Sequence, residues 1–270
     1  MTGAGTTGAG LAIADLFDVS GKVAVVTGGS RGIGAMIARG LVTNGVRTYI
    51  TARKAEACDA TAVDLSEFGE CISFPADLSS AEGIDDFVTA FGEREDQLHV
   101  LVNNAGAAWG APLGEFPEVG FDKVLDINVK APFFLTQSLL PHLRAAASAD
   151  DPGRVVMIGS IDGIRVPLGD NFSYSASKAA VHMLARHLAH FVVDDHITVN
   201  SIAPGPFESK MMAYMLDAPG GREMVAAAVP RGRMGSPEDV AGTVIFLASR
   251  AGAFLTGAVI PLDGGMSTHG

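Results

Sequence analysis

Short apolar runs alternate with longer segments of helical character from residue 22 onward, and this alternation limits the possible folds most strongly. Apolar runs that end in glycine or polar residues are typical of strands buried on both faces of a sheet. The predicted strands are 22–27, 46–51, 71–74, 98–102, 154–159, 197–202 and 258–261. The alternation predicts an α/β fold with a parallel sheet of about seven strands, right-handed crossovers and helices on both faces.

Predicted helices separate these strands, and no linker interrupts them. They span 33–44, 55–68, 80–93, 120–147 and 173–193, with a last helix capped by Ser236. We therefore predict one doubly wound, Rossmann-type catalytic domain over residues 21–270. Residues 1–20 are predicted to be a flexible leader, since they lack the basic region of a signal peptide.

Composition excludes several classes of function. The chain is 48% hydrophobic and 18% charged, as in a compact globular protein. Its net charge of −11 disfavours partners that are nucleic acids or anionic membranes. The two cysteines, Cys58 and Cys71, have neither metal-ligand nor disulfide spacing. We expect no metal site, no membrane association and a cytoplasmic location.

A glycine-rich turn lies where the first strand meets the first helix. Its sequence is Thr27-Gly28-Gly29-Ser30-Arg31-Gly32-Ile33-Gly34. Glycines there let the backbone approach a pyrophosphate, and the helix N-terminus supplies free N–H groups. A plain strand–helix turn needs one or two glycines rather than four, so nucleotide binding is predicted.

The end of the second strand indicates which nucleotide binds. NAD enzymes with doubly wound sheets usually place an acid there, whereas this strand ends Ile-Thr-Ala-Arg53-Lys54. Arg53 and Arg31 are suited to a ribose 2′-phosphate, although both are also compatible with solvated surface positions. The pattern favours NADP(H).

Tyr174 and Lys178 lie four residues apart in Tyr-Ser-Ala-Ser-Lys, so both face the same side of a helix. A nearby cation favours the phenolate, and we therefore expect Lys178 to lower the pKa of Tyr174. Such a pair can serve proton transfer to a carbonyl, but it is common on ordinary helices too. Its meaning depends on the motifs that precede it.

The T-G-x-x-x-G-x-G turn together with Tyr174 and Lys178 resembles the short-chain dehydrogenase/reductase family over residues 20–265. Other motifs follow in the family's order after successive strands. They are Asn103-Asn104-Ala105-Gly106, Asn128 in Ile-Asn-Val, Ser160, and Pro204-Gly205. The resemblance implies the fold predicted above and an NADP(H)-dependent oxidoreductase.

This resemblance also implies roles for individual residues. Tyr174 would be the proton donor, Ser160 would bind the substrate oxygen, Lys178 would bind the nicotinamide ribose and Asn128 would hold a relay water. Asp77 would bind the adenine amino group, or else cap the following helix, and Ser209 would contact the carboxamide. The implied cofactor contacts are Gly28, Ser30, Arg31, Gly32, Ile33, Gly34, Arg53, Asp77, Leu78, Asn104, Ala105, Gly106, Tyr174, Lys178, Pro204, Gly205 and Ser209.

One departure from the family pattern lies before Tyr174. The usual spacing from the serine to the tyrosine is thirteen, whereas Ser160 and Tyr174 are fourteen apart (174 − 160). The extra residue must fall in the 161–173 loop, a wall of the expected substrate pocket. Arg165 in this loop is compatible with an anionic substrate group or with an ordinary exposed position.

The same insertion and the strings at 52–58, 75–80 and 259–265 resemble NADPH-dependent 3-oxoacyl reductases of the rhamnolipid-biosynthesis type. That resemblance implies reduction of a 3-oxoacyl thioester, on coenzyme A or a carrier protein, to the 3-hydroxyacyl product. Two alternatives stay open: a secondary alcohol or polyol dehydrogenase, and a non-catalytic NADP-binding redox sensor.

Two further regions bear on the substrate and on assembly. Residues 206–235 break the alternation and contain Met211, Met212, Met215 and Met224, which suits either a mobile cover over an apolar site or a surface hairpin with methionines in its core. By resemblance, the helices at 120–147 and 173–193 would form a homo-oligomer, a dimer or a tetramer.

Overall fold

The computed structural model describes residues 10–167 and 169–268 and contains a seven-stranded sheet in which every pairing is parallel. The strand order is β3-β2-β1-β4-β5-β6-β7, which confirms the predicted fold class. The chain moves outward from β1 to β3 and then returns to β4 beside β1, and this reversal opens a crevice at the carboxyl ends of the strands. The strands are β1 Val23–Thr27, β2 Arg47–Thr51, β3 Cys71–Ser73, β4 Val100–Asn103, β5 Gly153–Ile158, β6 Ile197–Pro204 and β7 Val259–Leu262.

Helices cover both faces of the sheet, and their ends follow local capping rules. Ser80 accepts the Gly83 N–H at the start of α4, and a reciprocal capping box between Ser236 and Asp239 begins α10. In the described part of the chain, no helix is long and apolar enough to cross a bilayer. The helices are α1 Ile13–Leu16, α2 Gly32–Thr43, α3 Ala55–Leu65, α4 Ala81–Gly92, α5 Glu118–Leu125, α6 Ala131–Ala146, α7 Phe172–Val192, α8 Ala213–Leu216, α9 Gly221–Ala227 and α10 Pro237–Ala248.

Two apolar cores lie on opposite sides of the sheet. Alternate residues of β1 point into different cores. Ala24 and Val26 belong to the core that contains residues of α2 and α10. Val23 and Val25 belong to the core that contains residues of α4, α6 and α7. Successive strand residues point to opposite faces, so a strand that is apolar throughout must be covered twice. This burial fixes the sheet and leaves its carboxyl edge to carry polar groups.

The predicted helix over 120–147 is interrupted. A π-helical turn, Asp126–Lys130, separates α5 from α6. A π-turn inserts one residue into the helical repeat and rotates the side chains that follow it. As a result Asn128 points inward, with 2% of its surface exposed.

The predicted leader is not separate from the domain along its whole length. Residues 1–9 lie outside the described residues, but α1 follows and the Phe17 ring lies 6.4 Å from that of Phe246 on α10. Val19 is fully buried. Phe17 and Val19 therefore contact the domain although they precede the boundary predicted after residue 20, whereas Ile13 is 79% exposed.

The segment 206–235 forms a 3-10 turn, Lys210–Met212, followed by the short helices α8 and α9. Its buried apolar side chains are those of Phe207, Leu216, Val225 and Val229, whereas Met211 and Met224 are 44% and 62% exposed. Met212 and Met215 are partly buried. None of the four methionines is therefore fully buried, and the choice between a cover and a surface hairpin stays open.

Candidate functional site

The glycine-rich turn joins β1 to α2 at the crevice. Gly28 has a φ of +65°, and a side chain there would place its Cβ 2.9 Å from the Asn104 amide nitrogen. Helix α2 begins at Gly32, and no side chain caps its N-terminus. The first-turn N–H groups and the positive end of the helix dipole therefore face the crevice. The turn is a cradle for an anionic group.

Thr27 braces this turn from below. Its hydroxyl oxygen accepts the N–H groups of Asn104 and Ala105, both at 2.9 Å. The Asn104 amide in turn donates to the carbonyl oxygens of Thr27, at 2.8 Å, and Gly28, at 3.2 Å. Asn104 and Ala105 therefore hold the glycine turn in place. This structural role is separate from the cofactor contact that the sequence predicted for them.

Side chains around the turn fit a phosphorylated nucleotide. Arg31 and Arg53 are exposed, and within residues 10–167 and 169–268 neither guanidinium donates a hydrogen bond or forms an ion pair. The buried Thr51 hydroxyl, at the end of β2, has no hydrogen-bond partner among the described residues. Free cations, free N–H groups and the absence of a carboxylate at the end of β2 suit a phosphate on the ribose.

Asp77 and Leu78 follow β3 and differ in what they can offer. One Asp77 carboxylate oxygen accepts the Ser79 N–H at 3.1 Å and the Ser79 hydroxyl at 2.6 Å, and these bonds lower the pKa of Asp77. Ser80, not Asp77, caps α4, so the capping alternative for Asp77 is wrong. The Leu78 side chain is 4% exposed within the core, which leaves only its backbone for a ligand.

The remaining predicted cofactor residues lie along the same edge of the sheet. Pro204 ends β6, and the Gly205 N–H donates to the Leu262 carbonyl oxygen at 3.0 Å. Ser209 lies next to the glycine turn, since a Cβ on Gly32 would be 3.3 Å from the Ser209 Cβ. Ser209, three residues after Pro206, therefore lies beside α2.

Ser160, Tyr174 and Lys178 meet at the carboxyl end of β5. Ser160 is 7% exposed, and its hydroxyl oxygen accepts the Asp162 N–H at 3.1 Å. The buried Lys178 ammonium donates to the Ile158 carbonyl oxygen at 2.8 Å and lies 5.5 Å from the centre of the Tyr174 ring. The structure thus brings together the three groups that the sequence predicted as the reacting centre.

Burial controls the protonation of this centre. It raises the pKa of Tyr174 to about 12; a hydrogen bond with Ser160 opposes the rise, and the charge of Asp162 adds to it. Burial also lowers the pKa of Lys178 to about 8. The expected lowering of the tyrosine pKa is therefore wrong for this structure, because desolvation of the phenolate outweighs the nearby cation. A high pKa keeps the phenol protonated.

Asn128 is buried by the π-turn and joins two segments of the site. Its Oδ1 accepts the Ala107 N–H at 2.8 Å, while its Nδ2 donates to the Ala107 carbonyl at 2.9 Å and to the Ser177 hydroxyl at 2.9 Å. A Cβ on Gly106 would lie 3.1 Å from Asn128 Oδ1 and 3.7 Å from Lys178 Nζ. The side chain is therefore held beside Lys178, and its role in a water relay stays a prediction.

Three residues of the site were assigned no individual role from the sequence. They are Thr27, Ser177, whose hydroxyl donates to the Tyr174 carbonyl at 2.7 Å, and His182, which is buried behind Ser160. Each has a positional signal: Thr27 ends a strand, Ser177 lies inside Tyr-x-x-x-Lys, and His182 is one further helical turn beyond Lys178.

The 161–173 loop begins with a short 3-10 turn, Ile161–Gly163. Its far end is tied to a neighbouring segment, because the Ala111 N–H donates to the Asp170 carbonyl at 3.1 Å. Arg165 is half-buried, and its Nε has no hydrogen-bond partner in the described structure. Arg165 is therefore less exposed than an ordinary loop arginine, and a role toward an anionic substrate group stays a prediction. No cluster of metal-ligating side chains occurs among the described residues.

Comparisons with known proteins agree with this geometry. Residues 28–267 match the family described as Enoyl-(Acyl carrier protein) reductase. The chain is 49% identical over 249 residues to the rhamnolipids biosynthesis 3-oxoacyl-[acyl-carrier-protein] reductase of Pseudomonas aeruginosa, covering 92% of this chain and 97% of that protein. Gluconate 5-dehydrogenase of Gluconobacter oxydans is 32% identical over 254 residues, covering 94% of this chain and 97% of that protein.

A solved structure shows the same similarity in three dimensions. The Pseudomonas aeruginosa RhlG/NADP active-site complex superposes with a TM-score of 0.91 at 49% identity. The match covers 93% of this chain and 98% of that one. The fold is therefore shared over nearly the whole length of both chains.

Thr27→Val tests the brace beneath the glycine turn. Valine has a similar shape but leaves the Asn104 and Ala105 N–H groups without their acceptor. We expect the free energy of unfolding to fall by about 2–4 kcal/mol, measured by urea denaturation. Thr27→Ser keeps the hydroxyl and should stay close to the wild type; equal losses in both variants would contradict the brace.

Proposed function

The chain belongs to the short-chain dehydrogenase/reductase family, and from that premise we propose that it reduces a 3-oxoacyl thioester to the 3-hydroxyacyl product with NADPH. The observation that carries the proposal is the meeting of Ser160, Tyr174 and Lys178 at the carboxyl end of β5, beside a phosphate cradle. The similarity to a 3-oxoacyl reductase over 92% of the chain supports the choice of substrate.

The cofactor would lie along the carboxyl edge of the sheet, and NADPH when bound supplies the hydride for the carbonyl carbon. The glycine turn and the free N–H groups of α2 would hold the pyrophosphate. Arg31 and Arg53 would hold the 2′-phosphate, and Asp77 has a second carboxylate oxygen for the adenine amino group. Lys178 is placed to donate to the ribose hydroxyls.

Proton transfer would come from the chain itself. Ser160 donates a hydrogen bond to the carbonyl oxygen of the substrate and stabilises the negative charge that develops there. Tyr174, which its high pKa keeps protonated, gives its proton to the same oxygen. The Lys178 cation beside the ring then stabilises the phenolate, and Asn128 supports the path by which Tyr174 regains a proton.

Apolar side chains near the reacting groups favour an acyl substrate. Ile164, Val166 and Phe172, in or next to the loop between Ser160 and Tyr174, are 46%, 90% and 39% exposed. The Phe116 ring packs against Phe172 with centroids 6.0 Å apart, and Leu113 beside it is 78% exposed. Such a rim suits a hydrocarbon chain better than a polyol. The polyol dehydrogenase alternative is supported by the similarity to gluconate 5-dehydrogenase.

We propose that the protein is a homo-oligomer assembled through α6 and α7. Phe134 on α6 and Met183 and Phe191 on α7 are 47%, 61% and 70% exposed. Large apolar side chains that recur on neighbouring helices are typical of a surface covered by a partner.

Location in the cytoplasm is proposed as well, since Cys58 and Cys71 are both free and buried.

Tyr174→Phe tests the proton donor. Losing the hydroxyl should lower kcat for a 3-oxoacyl thioester by about 10²- to 10⁴-fold while NADPH still binds, as measured by absorbance assays and fluorescence titration. Tyr214→Phe, on the 77% exposed tyrosine of α8, is the matched control and should be fully active. Tight NADPH binding by the wild type without turnover of any carbonyl would support the redox-sensor alternative.

Activity should depend on pH through Lys178. Its pKa of about 8 means that the ammonium is present below pH 8 and is lost as the pH rises above it. The ratio kcat/KM, which reports the free enzyme, should therefore fall on the basic side of this value. Lys178→Arg stays charged and should show no such fall, whatever its absolute rate. A wild-type profile as flat as that of Lys178→Arg would contradict this assignment.

Cofactor preference should depend on Arg31 and Arg53. We expect Arg31→Ala/Arg53→Ala to raise KM for NADPH by about 10- to 100-fold and to leave the constants for NADH unchanged, because only NADPH carries the 2′-phosphate. Arg39→Ala is the control. Arg39 lies on α2, the helix that follows the turn, but its guanidinium stacks on the Phe68 ring, so KM for NADPH should not change. A wild type that prefers NADH would overturn the cofactor assignment.

Phe191→Asp tests the proposed assembly. A charge at the centre of a buried apolar contact is costly, so light scattering should show a smaller species than the wild type. Val63→Asp places the same charge on α3, at a side chain of equal 70% exposure, and should not change the mass. An unchanged mass in Phe191→Asp would exclude this face as the interface.

A further inference from the structure

One face of α7 carries a third residue in register with the reacting pair. His182 follows Lys178 by four residues, as Lys178 follows Tyr174, so all three side chains lie on the same side of the helix. The Lys178 ammonium donates to Ile158, the last residue of β5, and the His182 ring contacts Ser160 just beyond it. Neither the family motif nor the comparisons assign a role to His182.

The contacts of His182 fix its ring between two strands. His182 is 6% exposed; its Nε2 lies 2.9 Å from the Ser160 carbonyl oxygen and its Nδ1 lies 2.9 Å from the Ser201 hydroxyl on β6. A carbonyl oxygen can only accept, so Nε2 must carry a hydrogen. The ring also fills the space beside Gly159, where any Cβ would overlap it.

His182 is expected to be neutral. Burial has the largest effect and lowers its pKa; the hydrogen bond to the Ser160 carbonyl opposes this, and the nearby Lys178 cation adds a smaller lowering. In the neutral Nε2–H tautomer, Nδ1 accepts from the Ser201 hydroxyl, which otherwise donates to the Met157 carbonyl at 3.2 Å. Lys178 then keeps the single positive charge behind the phenol.

We propose that His182 is a positioning residue that holds Ser160 in the orientation needed for reduction. Two donors, His182 Nε2–H and the Gly163 N–H at 3.0 Å, converge on the Ser160 carbonyl. Together they fix the peptide after β5, while the Asp162 N–H fixes the Ser160 hydroxyl oxygen. The hydroxyl is thereby aimed at the substrate oxygen beside Tyr174. This inference rests on the proposed function of the site.

The test compares three substitutions at His182, using the full-length protein, NADPH and a 3-oxoacyl thioester. His182→Leu removes the donor and should lower kcat by about 10- to 100-fold, because Ser160 loses its alignment. KM for the thioester and Kd for NADPH should change less than about twofold, since Lys178 keeps its bond to Ile158. His182→Gln, whose amide nitrogen can reach the position of Nε2, should recover most of kcat. His182→Asn, whose amide nitrogen reaches only that of Nδ1, should not.

Other outcomes overturn the inference. If kcat of His182→Leu stays within about twofold of the wild type, His182 does not position Ser160. If kcat, NADPH affinity and melting temperature all fall together, or Gln and Asn behave alike, the role is one of general packing. Ser201→Ala gives a second measurement if His182→Leu does not fold: loss of the Nδ1 partner should lower kcat severalfold without weakening NADPH binding, and an unchanged kcat would contradict the proposal. Failure of the proposed function would appear differently, as a wild type that reduces no carbonyl at all.

Discussion

The hydrogen bond from the Lys178 ammonium to the Ile158 carbonyl fastens α7 to the carboxyl end of β5, and the rest of the site depends on this junction. It sets Tyr174 against Ser160, and the His182 ring on the same helix contacts the Ser160 carbonyl, two residues beyond Ile158. The cation lies in the interior, where a charge is stable only with polar partners. Its burial lowers the pKa of Lys178, so the structure holds a readily titrated ammonium where the reaction needs a charge.

Residues of the family motifs also have a structural role. Asn104 and Ala105 lie beside the cofactor crevice, yet their visible hydrogen bonds hold the glycine turn through Thr27. Asn128 similarly joins the Ala107 segment to Ser177 on α7. Each hydrogen bond contributes only about 0.5–1.5 kcal/mol to stability, so their main effect is to fix the positions of reacting groups. The residues that the motifs point to therefore also hold one another in place.

The sequence predicted the sheet well because strand and helix periods are local signals. Residues of β1 such as Ala24 and Val25 alternate between two cores, and the apolar run that contains them already indicates burial on both faces. The π-turn at Asn128 and the packing of Phe17 on Phe246 were not predictable in this way, since both depend on contacts between distant segments. The pKa of Tyr174 was predicted in the wrong direction for the same reason. Spacing shows that a cation is near, whereas the desolvation that dominates depends on tertiary burial.

In the proposed reaction, hydride reaches the 3-carbonyl carbon of an acyl thioester while Tyr174 protonates its oxygen. Turnover with NADPH that carries deuterium in the transferred position, followed by mass spectrometry of the product, tests this most directly. We expect one deuterium on the carbon that bears the new hydroxyl group and none elsewhere in the acyl chain. Label on a carbon of a reduced carbon–carbon double bond, or a product without label, would contradict it.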